Sequence, residues 1–196
     1  MDEQALIAAA RRGDLRAFNE LVLAYQDRVY NLAYRILGDP DAAADATQEA
    51  FLSAYQGLDR YRGGSFRSWL MRIVTNACYD ELRRRKRRPV TSLEALTEAG
   101  SSPPPPTNTQ PESPEAYAER QELHRLLEAA IQTLPPDQRI TLVLSDVEGL
   151  SYQEIAEITG VALGTVKSRL SRARARLRDY LLAHKELLPT PYRLKT

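Results

Sequence analysis

The stretch GTVKSRLSRARARLR, Gly164 to Arg178, carries six basic side chains and no acidic one. On a helix such a run either stays solvated or meets a polyanion. At about 100° per residue, Val166, Leu170, Ala173 and Leu177 fall on one stripe that must be buried. The opposite face collects Gly164, Ser168, Ser171 and Ala175, with Lys167 and Arg178 on one flank and Arg172 on the other. A merely solvated face mixes Glu with Lys for pairing one turn apart. Here acids are absent and the outward strip is small, so the backbone can approach a groove floor. Flanking Lys and Arg reach phosphates or guanine edges, and Ser bonds either. The pattern reads as a DNA-contacting helix, with Arg169, Arg174 and Arg176 expected at phosphates or in solvent.

A second basic block, LDRYRGGSFRSWLMRIVTNACYDELRRRKRR, spans Leu58 to Arg88. On its helix Leu70, Ile73, Val74 and Ala77 form the apolar stripe, while Trp69, Arg72, Asn76, Asp80 and Arg83 lie opposite or to the side. The preceding loop brings Tyr61, Arg62, Gly63, Gly64, Ser65 and Phe66. Aromatics interleaved with arginines beside a glycine loop suit unstacked bases better than duplex, and Asn76 offers a donor and an acceptor to a base edge. Phe66 and Trp69 are equally compatible with core positions. Arg83–Arg88 reads as a non-specific phosphate contact, although a basic run also suits a helix C-terminus.

Residues 41–56 put Asp45, Gln48, Glu49, Leu52 and Gln56 on one side, with Tyr55 at its edge, and Thr47, Ala50, Phe51 and Ala54 on the other. Leu52 amid acids is either an isolated apolar residue or the anchor of a partner surface. Asp45 and Glu49 could be paired carboxylates, yet no nucleophile, His or Lys stands near them in sequence, so no catalytic site is expected. Cys78, His124 and His184 form no CxxC or HxxxH pattern, so no metal or cofactor is expected.

The elements that must position these residues read almost wholly as helix: 2–12, 14–37 ending at Gly38, Asp39 to about 56, 66–86, 114–133, 136–147, a short helix opened by the capping box Ser151-Tyr152-Gln153-Glu154, and 163–183. The turn at Gly160 makes the last two a helix-turn-helix. SSPPPPTNTQPESP marks a flexible, proline-rich linker. The expectation is an all-α chain of two helical domains, 1–88 and 114–184, joined by a linker at 89–113 and followed by a tail at 185–196.

A net charge of +1 conceals alternation. Residues 1–59 hold 5 basic against 10 acidic side chains, 60–88 hold 10 against 2, 89–150 hold 3 against 10, and 151–196 hold 9 against 4. The two basic blocks suggest two polyanion-contacting surfaces on one chain. The acidic block between them is expected to dock on a basic surface of the free protein and suppress non-specific binding, with Glu115, Glu119 and Glu122 as participants. No apolar run reaches the roughly 18 residues of a membrane span, no secretory signal is seen, and one cysteine suits a reducing cytoplasm.

Four stretches in this order, DAAADATQEAFLSAY, YRGGSFRSWLMRIVTNACYDELRR, LPPDQRITLVLSDVEGLSYQEIAEITG and GTVKSRLSRARARLR, resemble the extracytoplasmic-function (ECF) sigma factors of the sigma-70 superfamily. The resemblance implies a bacterial, cytoplasmic transcription initiation factor without catalytic activity. It implies a region 2-like bundle at 1–88 that binds core RNA polymerase through the β′ coiled-coil and melts the −10 element. It also implies a region 4-like helix-turn-helix domain at 114–184 that reads −35 duplex beside the β flap, and restraint by an anti-sigma factor. The matching positions are Asp45, Gln48, Glu49, Leu52 and Tyr55 for polymerase. For the −10 element they are Tyr61, Arg62, Gly63, Gly64, Ser65, Phe66, Trp69, Arg72, Asn76 and Asp80, and for the −35 element Thr165, Lys167, Ser168, Ser171 and Arg172. The rival reading is a stand-alone helix-turn-helix regulator that binds duplex as a dimer.

Overall fold

Short polar residues start the helices of the computed structural model, which describes residues 2–87 and 113–188. The Asp2 carboxylate accepts from Gln4 N at the head of α1 (Glu3–Arg11), and Asp14 accepts from Arg16 N and Ala17 N at the head of α2 (Leu15–Leu37). Asp39 caps α3 (Pro40–Gly57), where Pro40 costs no backbone hydrogen bond because its N–H would be unpaired. Each side-chain cap contributes about 1 kcal/mol. Gly38 closes α2 in the left-handed region at φ 68°, its N–H donating to Tyr34 O.

α2, α3 and α4 (Phe66–Arg87) pack together, with α1 laid along α2. The face that α3 turns inward is an alanine stripe, Ala42, Ala43, Ala46, Ala50 and Ala54, all buried. Small side chains there let the α2 and α4 backbones come close to α3. α4 buries Leu70, Met71, Val74, Thr75, Ala77 and Cys78. Burial pushes the Cys78 thiol up to about 12, so it is an inert core residue.

The second unit is built from α5 (Pro114–Gln132), α6 (Pro136–Leu142), α7 (Tyr152–Thr159) and α8 (Leu163–Ala183). The expected capping box at Ser151 and Glu154 is complete, and Gly160 ends α7 at φ 67°. The helix expected over 136–147 is interrupted: Val143–Val147 widens into a π turn, with Glu148 N donating to Val143 O. α8 buries Val166, Leu170 and Ala173 of its expected stripe, and the fourth member, Leu177, is half-buried against the core. Strands are absent among the described residues.

The units are not held apart. α2 touches α5 and α6, α4 touches α7, and one cluster of buried residues runs through both. Of the expected linker only Ser113, the N-cap of α5, is described. Arg88 and the tail beyond Leu188 likewise lie outside the described residues.

Candidate nucleic-acid and partner interfaces

α8 sorts its basic residues into two sets. Lys167, Ser171 and Arg172 are exposed, and Thr165 and Ser168 are half-buried, with Ser168 Oγ donating to Thr165 O. Arg169 instead donates to Asp137 Oδ2 of α6 at 2.7 Å, and Arg174 grips Asp146 with two hydrogen bonds, 2.9 and 2.7 Å. Arg169 and Arg174 therefore fasten α8 to its own unit, where the sequence suggested phosphate or solvent contacts. The π turn carries Asp146 to α8, and the Arg174 guanidinium holds that carboxyl below the usual range.

The loop before α4 is supported by aromatic rings rather than lined with them. Tyr61 and Phe66 are only 3% and 2% exposed. They form an edge-to-face pair, Trp69 leans on both, and Tyr25 meets Phe66 from α2. Tyr61 and Phe66, expected among the base contacts, thus serve here as the floor under the loop, and Trp69 is half-buried. The Tyr61 hydroxyl donates to Gly64 O at 2.7 Å, fixing a turn in which Gly63 and Gly64 take φ of 91° and 88°. Only glycine adopts such values without strain. Arg62, Gly63, Gly64 and Ser65 project outward, followed on α4 by exposed Arg72, Asn76 and Asp80.

On α3 the side chains of Asp45, Gln48, Glu49, Leu52 and Tyr55 are all exposed, Leu52 at 57% and Tyr55 at 37%. Tyr55 is braced by Phe18 of α2, ring centroids 5.0 Å apart. Leucine and tyrosine in open water, rimmed by Asp45 and Glu49, form a patch of the kind that marks a protein contact.

A set of residues that sequence reasoning passed over joins the two units. Arg28 Nε lies 2.8 Å from Glu148 Oε2, Arg67 donates to Glu148 O, and Ser68 Oγ donates to Glu154 Oε1 at 2.6 Å. Arg35 pairs with Glu128 at 2.7 Å. Acids of the central block do reach basic groups of the first unit, but through Glu128 and Glu148 rather than through Glu115, Glu119 or Glu122. Charge alternation hinted at this docking; the partners lie too far apart in sequence to be matched by pattern. Between α4 and the helix-turn-helix sits a cavity of about 380 Å³ whose lining includes Asn76, Asp80, Arg83, Thr159, Val161 and Arg169. Among the described residues no group of His, Cys, Asp and Glu could hold a metal, and no helix is long and apolar enough to cross a membrane.

Both helical units have counterparts among known proteins. Residues 21–88 match the family described as Sigma-70 region 2, and residues 124–177 match Sigma-70, region 4. The chain is 42% identical over 177 residues to the ECF RNA polymerase sigma factor SigE of Mycolicibacterium smegmatis, covering 90% of this chain and 66% of that protein. It is 38% identical over 175 residues to the ECF RNA polymerase sigma-E factor of Escherichia coli K12, covering 89% of this chain and 91% of that one. Among solved structures, the sigma factor RpoE bound to the anti-sigma factor NepR from Bartonella quintana matches at TM-score 0.65 and 27% identity, over 85% of this chain and 98% of that one. CnrH, bound to the cytosolic domain of CnrY, matches at TM-score 0.64 and 27% identity, over 93% and 99%.

Proposed function

This chain belongs to the ECF RNA polymerase sigma factors, a family of transcription initiation factors, and we propose which of its surfaces carry each part of that work. It directs core RNA polymerase to promoters by reading −35 duplex and melted −10 DNA. The observation that carries the reading is identity sustained over about nine-tenths of both chains, 89% and 91%, with regions 2 and 4 in order. A dimeric regulator needs neither an acidic partner helix nor an aromatic-braced loop, and is not favoured.

Residues 1–88 form the polymerase-binding and −10 unit, and residues 114–184 the −35 unit. Asp45, Gln48, Glu49, Leu52 and Tyr55 dock on the β′ coiled-coil: Leu52 and Tyr55 supply apolar area, and the acids supply charge that selects a basic partner. Arg62 to Ser65, with Arg72, Asn76 and Asp80, take the melted −10 strand. The α8 face of Thr165, Lys167, Ser168, Ser171 and Arg172 enters the −35 major groove. Ala162 gives α8 no side-chain cap, which suits a phosphate at that helix end.

The physical work is to hold strands apart. Flipping a base costs a few kcal/mol, and aromatic stacking returns about 1–3 kcal/mol per base, so Trp69 is the ring placed to help, with polymerase contacts making up the balance. In this reading the protein has no catalytic activity of its own, works in the cytoplasm beside polymerase, and is restrained by an anti-sigma factor. The deciding experiment is run-off transcription with purified core polymerase. Promoter-specific transcripts are expected only when this chain is added; their absence, or tight binding to a palindrome without polymerase, would overturn the assignment.

A further inference from the structure

Helix α1 holds the support of the glycine loop at both of its ends. Asp2 caps α1 and so fixes Glu3 in the first turn, and buried Ile7 and Ala10 seat the helix in the core. From that first turn the Glu3 carboxylate accepts the hydroxyl of Tyr25, which stands half-buried on α2. The Tyr25 ring meets Phe66 edge-on, centroids 5.6 Å apart and planes at 64°. Phe66 in turn meets Tyr61 at 5.7 Å and 88°, and the Tyr61 hydroxyl holds Gly64 O. At the far end of α1, Arg11 donates to Asp59 O at 3.4 Å, in the turn Leu58–Arg60 that leads into Tyr61. One short helix thus reaches the entry of the loop directly and its exit through Tyr25. That helix precedes residues 21–88, the part that matches Sigma-70 region 2.

Edge-to-face contacts depend on the angle between the rings. A tyrosine held only by packing can swing, whereas one whose hydroxyl is tied to Glu3 cannot. Burial, with the Glu3 carboxylate adding to it, pushes the Tyr25 hydroxyl up to about 12, so it keeps its proton and goes on donating at neutral pH. Trp69 rests on the same rings, 5.3 Å from Tyr61 and 5.5 Å from Phe66. A loop already held in one shape gives up less freedom when it binds.

Resting on the reading that Arg62 to Ser65 take the melted −10 strand, we infer that Glu3 and Tyr25 are positioning residues for that strand. They touch no base. Glu3 fixes the Tyr25 ring, Tyr25 fixes Phe66, and the rings of Phe66 and Tyr61 set the pose in which the loop and Trp69 meet single-stranded DNA. Helix α1 is in this way part of the −10 apparatus, although it carries none of its contacts.

The test compares the full chain with three variants. Glu3→Ala and Tyr25→Phe each delete the bond, the second leaving the ring in place, and Glu3→Gln keeps an oxygen that can accept it. Amide hydrogen exchange of the chain alone should run about three- to tenfold faster at residues 62–66 in the first two, the factor that loss of one hydrogen bond corresponds to. In holoenzyme their affinity for a single-stranded −10 oligonucleotide should fall by a similar factor, with core polymerase binding and −35 duplex affinity unchanged. Glu3→Gln should match the parent in every measurement. The inference is overturned by unchanged exchange at the loop in both deletions, by faster exchange spread evenly over α2 and α4, or by a loosened loop that binds the oligonucleotide as before. Failure of the parent holoenzyme to bind the oligonucleotide would instead strike the functional reading. Exchange at the loop, measured without DNA or polymerase, tells that failure apart from failure of the brace.

Discussion

Arg35 and Glu128 form a buried ion pair between the two helical units, Nε 2.7 Å from Oε1, with side chains 12% and 9% exposed. Glu128 Oε2 has no hydrogen-bond partner among the described residues. Burying charge in a half-satisfied network is poor economy for stability alone, because desolvation offsets much of the Coulomb attraction. The pair does fix how the units meet, since any other register leaves both charges buried alone.

Removing one partner should therefore separate the units before it unfolds them. An uncompensated buried charge costs about 3–5 kcal/mol, but opening lets Arg35 reach water and caps that cost. Glu128→Ala is expected to split one thermal transition into two, and Arg35→Met with Glu128→Leu to restore one. Calorimetry decides; a single transition lowered as a whole in Glu128→Ala would count against it.

Acid should loosen the same boundary. His124 stands 3.5 Å from Glu128 Oε1. Burial holds its pKa below 6.5, Glu128 opposing and Arg35 adding to the effect. An exposed ring takes a proton more readily than this one, so the docking of the two units is unaffected above pH 6.5 and loses ground as pH falls below it. The distance between spin labels at Glu20→Cys and Glu157→Cys, both exposed positions in different units, should lengthen over that window by pulsed dipolar spectroscopy in the parent chain and stay flatter in His124→Gln.

The arginines of α8 should divide by what they hold. Lys167→Ala and Arg172→Ala are expected to weaken −35 binding while core polymerase binding stays intact, a phosphate contact lowering the salt slope by about 1. Arg174→Ala should act on stability, by at most about 1 kcal/mol because the pair is partly exposed. Salt-dependent duplex titrations and urea melts separate the two outcomes.

On α3, Glu49→Lys inverts charge on the exposed face beside Leu52. Binding to core polymerase should fall at least tenfold with the −35 affinity of the free chain unchanged. Intact holoenzyme on a native gel would remove Glu49 from the interface.

Tyr61→Phe deletes only the hydroxyl that donates to Gly64 O. Loss of that bond costs about 0.5–1.5 kcal/mol and frees the Arg62–Ser65 loop. Affinity for a single-stranded −10 oligonucleotide should drop severalfold in holoenzyme, and duplex −35 binding should not move.

The features legible in the chain were the local ones. Asp14, Asp39, Gly38 and the Ser151–Glu154 box mark helix ends because a cap bonds within three or four residues of itself. The α8 stripe follows from helical periodicity, and Asp45 to Tyr55 emerge on one face for the same reason. Periodicity could not say whether Phe66 and Tyr61 face bases or core, since an aromatic suits either; Tyr25 and Trp69, closing around them, decide it.

By itself, then, the sequence determined an all-helical chain, its helix-turn-helix and its faces of charge. Tertiary structure alone decided that Arg169 and Arg174 are tied down while Lys167 and Arg172 are offered, and that Gln132 and Arg139 cap a helix about a hundred residues away. The reason is physical: helix signals are written in neighbours three and four apart, whereas a guanidinium chooses among acids and carbonyls by distance in space, and no spacing in the chain records that choice.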